Sequence, residues 1–295
     1  MTLPGDRAES GPGPRPADGV PSAPPPSTST ARELVWRIRQ ALPVELGADS
    51  VDVFLEGDPD LAVSGVAVTM MATFEVLEAA VANGANLVIT HEPVYFNHHN
   101  AFAAPLAEAL DPVFLVKRQF LRDHQLVVWH CHDLLHQLEP DMIHLGILTA
   151  LGWPIAGIGG PSIVELPPTP LEEVLSHLAD KLGATSLRYV GDQRQLISRI
   201  AVGCGYASLQ GYRSALLRDD LDLVLVGEAW EWEFGEYVYD TAFLSAQAQR
   251  PRAFAVIGHI PSEQQGMAYF SEQLREIIPE IPVYFTPAAD LYRSL

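Results

Sequence analysis

From residue 31 onward, hydrophobic and polar positions switch between a helical and a strand period. Glu33 to Leu42 puts Leu34, Val35, Ile38 and Leu42 on one face, the spacing of an amphipathic helix. Ser64 to Thr69 (SGVAVT) reads as a strand, Met71 to Asn83 as a helix with Phe74, Leu77 and Val81 inward, and Ala85 to Thr90 (ANLVIT) as a second strand. Gly84 fits the left-handed residue that closes such a helix. A helical stretch from Val113 to His124 leads to a short buried strand at Leu126 to Trp129. A helix follows from about Pro140 to Leu151, ending at Gly152. Thr169-Pro170 predicts another helix start, with Thr169 as N-cap, Pro170 in the first turn, and Leu171, Val174, Leu175 and Leu178 as its apolar stripe. Strands are expected at Ser186 to Val190, Arg199 to Gly203, Leu221 to Val226 and Arg252 to Ile257.

Short apolar runs alternating with amphipathic helices predict an α/β fold with largely parallel or mixed sheets covered by helices. At 295 residues the chain is long enough for two lobes. The Gly-rich Trp153 to Gly160 segment is the candidate boundary, giving lobes at 31–155 and 156–295, with the 250–295 segment able to pack back on the first lobe. Residues 1–30 are Pro, Gly, Ser and Ala with scattered charge, a composition too poor in apolar surface to offset the entropy of ordering. That tail also lacks the apolar core of about 7 to 15 residues that a secretory signal carries, so it is expected to be neither export signal nor folded domain.

Composition narrows the function classes. The longest apolar runs are strand length, so no membrane span is expected. Two cysteines, Cys131 and Cys204, make no disulfide framework and fit a reducing cytoplasm. The net charge of -19 repels nucleic-acid phosphates, which argues against direct DNA or RNA binding.

The candidate chemistry gathers at strand ends. ANLVIT runs into His91-Glu92, LVVW into His130-Cys131-His132-Asp133, and AFAVIG into His259-Ile260-Pro261-Ser262-Glu263. Side chains just past the carboxyl ends of strands line the ligand crevice of open α/β sheets. Singly, each motif is more often a helix cap or a hydrogen-bonded loop. Together, two imidazoles and three carboxylates form a mixed nitrogen and oxygen donor set suited to a first-row divalent metal. Five ligands exceed what one tetrahedral ion takes, while a bridging carboxylate lets two ions share the set. Asn97, His98 and His99 are candidates either to orient ligands or to sit in an exposed loop. His130 and His132 fall on one side of an extended stretch, and His136 is placed nearer the surface than the crevice. Gly203 to Ser208 is a weak candidate for a backbone anion cradle. Glu228 is the candidate general base, and Glu228 to Tyr239 (EAWEWEFGEYVY) suits core or interface packing better than substrate stacking.

At these residues the sequence resembles the Nif-three-like family of dinuclear metal-centre hexameric proteins, homologues of a type-two GTP cyclohydrolase. The likeness runs from about Val51 to the C-terminus through VDVFLEGDPD, GANLVITHEPVYFNH, His132-Asp133, GEAWEWEFGEYVYD, VIGHIPSEQQGM and VYFTPAADLY. It implies His91, Glu92, Asp133, His259 and Glu263 as metal ligands, two metal ions in a cleft between two α/β lobes, and a homohexamer. The HEP form at His91-Glu92 replaces the family's paired histidines, and a carboxylate there favours Mn or Fe over Zn. The implied activity is metal-dependent hydrolysis of a nucleotide-like or other anionic small molecule, with Mn, Fe or Zn. A metal-storing, metal-delivering or regulatory ring without turnover is the alternative.

Overall fold

The structure is a computed structural model that describes residues 29–154 and 162–294. Most of the N-terminal tail and most of the expected lobe boundary lie outside the described residues. Two five-stranded mixed sheets form the framework, as the alternating pattern predicts.

The first sheet runs in the order Phe54–Glu56, Val127–His130, Leu87–Thr90, Val66–Thr69 and Val283–Phe285. Its inner pairings are parallel and its Phe54–Glu56 edge is antiparallel. Three central strands are buried along their whole length, which is why they read as unbroken apolar runs. Val66, Val68, Leu87, Ile89, Val127 and Trp129 pack one face against helices Ala31–Ala41 and His259–Ile277. Ala67, Val88 and Val128 pack the other face with Leu77, Phe114 and Leu121, from helices Phe74–Ala82 and Pro112–Asp123. The second sheet runs Ser162–Pro170, Leu196–Val202, Leu223–Val226, Ala253–Val256 and Arg188–Val190, parallel in the middle and antiparallel at both edges. Helix Leu171–Leu182 covers one face, and Phe234 and Val238 cover the other.

The chain returns to the first sheet through Val283–Phe285, which pairs in parallel with Val66–Thr69. The helix before that strand, His259–Ile277, therefore bridges the sheets: it follows a strand of the second and leads into a strand of the first. It crosses helix Met142–Leu151 so closely that a Cβ added to Gly146 would lie 2.4 Å from the backbone of Gly266.

One expected helix start is corrected. Thr169 and Pro170 close the strand Ser162–Pro170, the helix begins at Leu171, and Pro170 supplies no side-chain cap. The neighbouring turn does that work: the first helical amides, Leu171 N and Glu172 N, donate to Gln195 O and Gln193 O. Among the described residues no helix is long and apolar enough to cross a membrane.

Candidate metal centre

Two backbone ladders run past their strand ends and hold the site residues. His91 N donates to Thr69 O, Glu92 N to Met70 O, and Cys131 N to Thr90 O. The buried carboxylate of Asp52 then accepts from the backbone amides of His132, Asp133 and Leu134, fixing the turn after the strand Val127–His130. From the other side, Gly258, at φ 102°, turns the chain into the helix His259–Ile277. His259 and Glu263 thus lie four apart on one helical face, one turn above the other.

These elements bring the expected residues together around one carboxylate. Glu263, 3% exposed, places Oε2 3.1 Å from His259 Nε2 and 3.4 Å from His91 Nε2. Glu92 Oε1 lies 3.4 Å from His259 Nε2, and Glu228 Oε2 accepts from His259 Nδ1 at 2.9 Å. Asp133, expected as a ligand, is turned aside: Oδ2 accepts from Val51 N at 3.1 Å and Oδ1 accepts from His132 Nδ1 at 3.0 Å. Close to it stand histidines that the sequence placed at the margin. Ligand atoms lie within 4.8 Å of one another in the groups His91, His132, His136; Glu92, His98, His132; and His91, Glu92, Glu263. The signal for His132 and His136 was there, since they too are four apart, the spacing that puts two imidazoles on one face of a helical turn.

Within the glycine-rich Gly203 to Ser208 segment, Gly205 has a packing role. Gly205 N donates to Ser262 Oγ, and a Cβ at Gly205 would lie 2.3 Å from Glu263 Oε1. Its bare backbone makes room for the buried carboxylate.

Electrostatics set the protonation of the cluster. Burial lowers the pKa of His132 to about 3, helped by the neighbouring His91 and His136, so this imidazole is neutral and able to bind a cation. Burial opposes charge on His259 too, but the carboxylates of Glu228, Glu263 and Glu92 outweigh it and raise its pKa to about 12. Burial likewise opposes the Glu263 carboxylate, and His91 and His259 hold its pKa well below the usual range.

His91 Nε2 and Glu263 Oε2 are buried with no hydrogen-bond partner, and they face each other. Such atoms are rare in folded proteins because each forgoes solvation without replacing it. A cation between an imidazole lone pair and a carboxylate satisfies both, so these residues fit the implied metal.

The family model described as Duf34/NIF3 (NGG1p interacting factor 3) matches residues 29–110 and 123–290. The chain belongs to the Duf34/NIF3 family. Among curated NIF3 relatives it is similar to the GTP cyclohydrolase 1 type 2 homolog of Clostridium acetobutylicum, 24% identical over 82% of this chain and 88% of that protein. The protein of the same name from Clostridium perfringens is 25% identical over 83% and 90%. Solved structures share the NIF3 fold. Staphylococcus aureus protein SA1388 superposes with a TM-score of 0.69 at 17% identity, covering 91% of this chain and all of that one. The Bacillus cereus protein related to NIF3 gives 0.67 at 13% identity, covering 91% and 99%.

Proposed function

We propose that this chain is a dinuclear metal-dependent hydrolase acting on a nucleotide-like or other anionic small molecule in the cytoplasm. His91, Glu92, His259 and Glu263 would hold divalent Mn, Fe or Zn, with Asp133 serving through His132. The observation that carries the reading is the facing pair of unsatisfied buried atoms, His91 Nε2 and Glu263 Oε2, 3.4 Å apart. Two divalent ions supply a bound water acidified toward neutrality and a positive clamp on a substrate oxygen.

The protein's own groups support turnover beside that centre. His259 and Glu228 line a cavity of about 580 Å³ whose wall also carries Arg188, Tyr292 and Arg293. Arg188 pairs with Glu231, and the carboxylates of Glu228 and Asp290 share the wall, which leaves the Arg293 guanidinium as the group able to meet an anionic part of an occupant. Glu228 combines two roles there: its Oε2 orients His259, and its carboxylate, kept ionised by that imidazole, is placed to take a proton from an attacking water. The names of the clostridial relatives point to nucleotides as the first substrates to try.

The non-catalytic ring is the second reading, favoured by the net charge of -19, which repels polyphosphates. Either reading fits a homohexamer. Exposed Trp232, in the turn Glu231–Gly235, and Tyr239, Phe243 and Leu244, on the helix Glu236–Gln247, give an apolar surface for such contacts, and light scattering tests it.

Purified protein loaded with Mn, Fe or Zn and screened against nucleotides and phosphoesters decides between the readings. Glu228→Gln, compared with wild type at metal concentrations that saturate both, is expected to lower kcat by about 100-fold or more. Loaded wild-type protein that turns over none of these compounds would leave the non-catalytic reading in possession.

A further inference from the structure

A closing His and Glu share one helix at this site, yet the structure also brings His136 to the other oxygen of the same carboxylate, with His132 packed beside it. We infer that His132 and His136 form a second cation-binding face, each imidazole held by its own aspartate, with Glu263 spanning this face and the His91, Glu92, His259 face. The inference rests on the metal-centre reading above and assigns its second ion to residues outside the set that the family resemblance implies.

Three observations meet here. The first is the pairing of imidazoles with carboxylates. His132 Nδ1 donates to Asp133 Oδ1 at 3.0 Å, and His136 Nδ1 donates to Asp141 Oδ2 at 2.9 Å. A carboxylate on Nδ1 fixes the tautomer with the lone pair on Nε2, the arrangement that orients histidine ligands in metal sites. Both aspartates are themselves pinned. Asp133 accepts from Val51 N, and Asp141 Oδ1 accepts from Ile143 N and His144 N as the N-cap of helix Met142–Leu151.

The second is the convergence of rings. His91, His132 and His136 lie with centroids 4.6 to 5.1 Å apart in every pairing, and each offers a ring nitrogen within 4.8 Å of the others. His98 adds a fourth ring 4.5 Å from His132 and shares a possible ligand group with Glu92 and His132. Nothing in apolar packing calls for so many imidazoles in one place, whereas a divalent ion of the first row takes such a donor set readily.

The third is the orientation of Glu263. Oε2 faces His259 and His91, while Oε1 lies 3.8 Å from His136 Nε2. The two oxygens of one buried carboxylate address different imidazoles, the arrangement of a carboxylate that bridges two ions through both its oxygens. Asp133 and Asp141 are therefore positioning residues, and the ligand that the family pattern takes from an aspartate comes here from the imidazole that Asp133 holds.

Titration of metal-free protein with Co(II), read by visible absorption and by metal analysis, tests this without relying on activity. Wild type is expected to bind two ions per chain. Asp141→Asn keeps an oxygen to cap the helix but presents an N–H to His136, turning its lone pair away. It is expected to weaken one of the two ions by about 10- to 100-fold and leave the other unchanged. His136→Gln is expected to do the same or to lose that ion, and thermal melting of the metal-free variants confirms that they fold. Two ions of wild-type affinity in both variants overturn the inference. So does a wild type that binds one ion, although the hydrolase reading then survives with a single-metal site. One ion weakened selectively in both variants, with no turnover by wild type, would instead overturn the hydrolase reading and leave this one standing.

Discussion

The two sides of the cluster use the same four-residue spacing on very different supports. His259 and Glu263 stand on the first turn of the 19-residue helix His259–Ile277, so their relative placement is set by helix geometry and by packing of Ile260, Met267 and Phe270 into the core. His132 and His136 stand at the turn Asp133–His136, a helix of only 4 residues. So short a helix gains little from its own hydrogen bonds. The Asp52 carboxylate gathers three of its amides, and Asp133 and Asp141 hold the two rings. One side is rigid by secondary structure; the other is rigid by half-buried side-chain hydrogen bonds. The second kind of support is easier to break by a single polar substitution, because each removed carboxylate leaves a half-buried donor unmatched.

Glu263→Gln should have the largest effect, because Glu263 touches both sides. The amide keeps the volume but loses the charge and one acceptor, so metal content measured after gel filtration should fall from two ions per chain to fewer than one, with affinity lower by more than about 100-fold. Full loss of one ion with the other untouched would show that the carboxylate serves one side alone. Gly146→Ala comes next. A methyl there meets Gly266 and Gln265 backbone atoms at 2.4 Å, and backbone cannot step aside as a flexible side chain can. Overpacking of this kind costs about 3 kcal/mol, to be read from urea unfolding. The crossing joins the helix that Asp141 caps to the helix that carries Glu263, so both ions should weaken together. A stability loss with one ion unaffected would mean that the two sides are supported independently.

Sequence reasoning reached one side of the cluster more fully than the other, for physical reasons. Strand ends are legible because fully buried parallel strands are unbroken apolar runs, and the residue after the run must enter the crevice; His91, Glu92 and His259 follow from that. Glu263 follows from helical spacing. The other side depends on long-range polar contacts. Asp52 lies 80 residues before the His132 amide that it accepts from, and no local pattern marks it as anything but a loop acid. Asp133 was expected as a ligand from its strand-end place and the family resemblance; the contacts of its oxygens with the Val51 amide and the His132 ring come from tertiary structure that no local pattern announces. The fold shows the same division. Strand and helix identities were legible from periodicity, whereas the start of helix Leu171–Leu182 was misplaced because its end amides are satisfied by Gln193 and Gln195, across a turn, instead of by Thr169.

The smallest expected effect concerns the loop that brings His98 to the polar-supported side. Lys117 is 5% exposed, and its ammonium sits 5.0 Å from the ring centroid of Phe96, two residues before His98. Burial lowers the Lys117 pKa from 10.5 to about 8. Between those values the unfolded chain binds more protons than the folded one, so the wild type gains stability as pH rises from about 8 to 10.5. Below about 8 the buried charge is a constant penalty. Lys117→Met keeps the length without the charge and should be more stable than wild type by on the order of 1 kcal/mol at pH 7. That advantage should shrink toward zero by pH 10.5, and Co(II) affinity should change less than in any variant above. Urea unfolding of both proteins at pH 7, 9 and 10.5 measures it. A difference that does not vary with pH would mean that the ring of Phe96 compensates the ammonium in full. The His98 loop would then be clamped by a charge, and the polar-supported side of the cluster would extend further from the metal than the aspartates alone indicate.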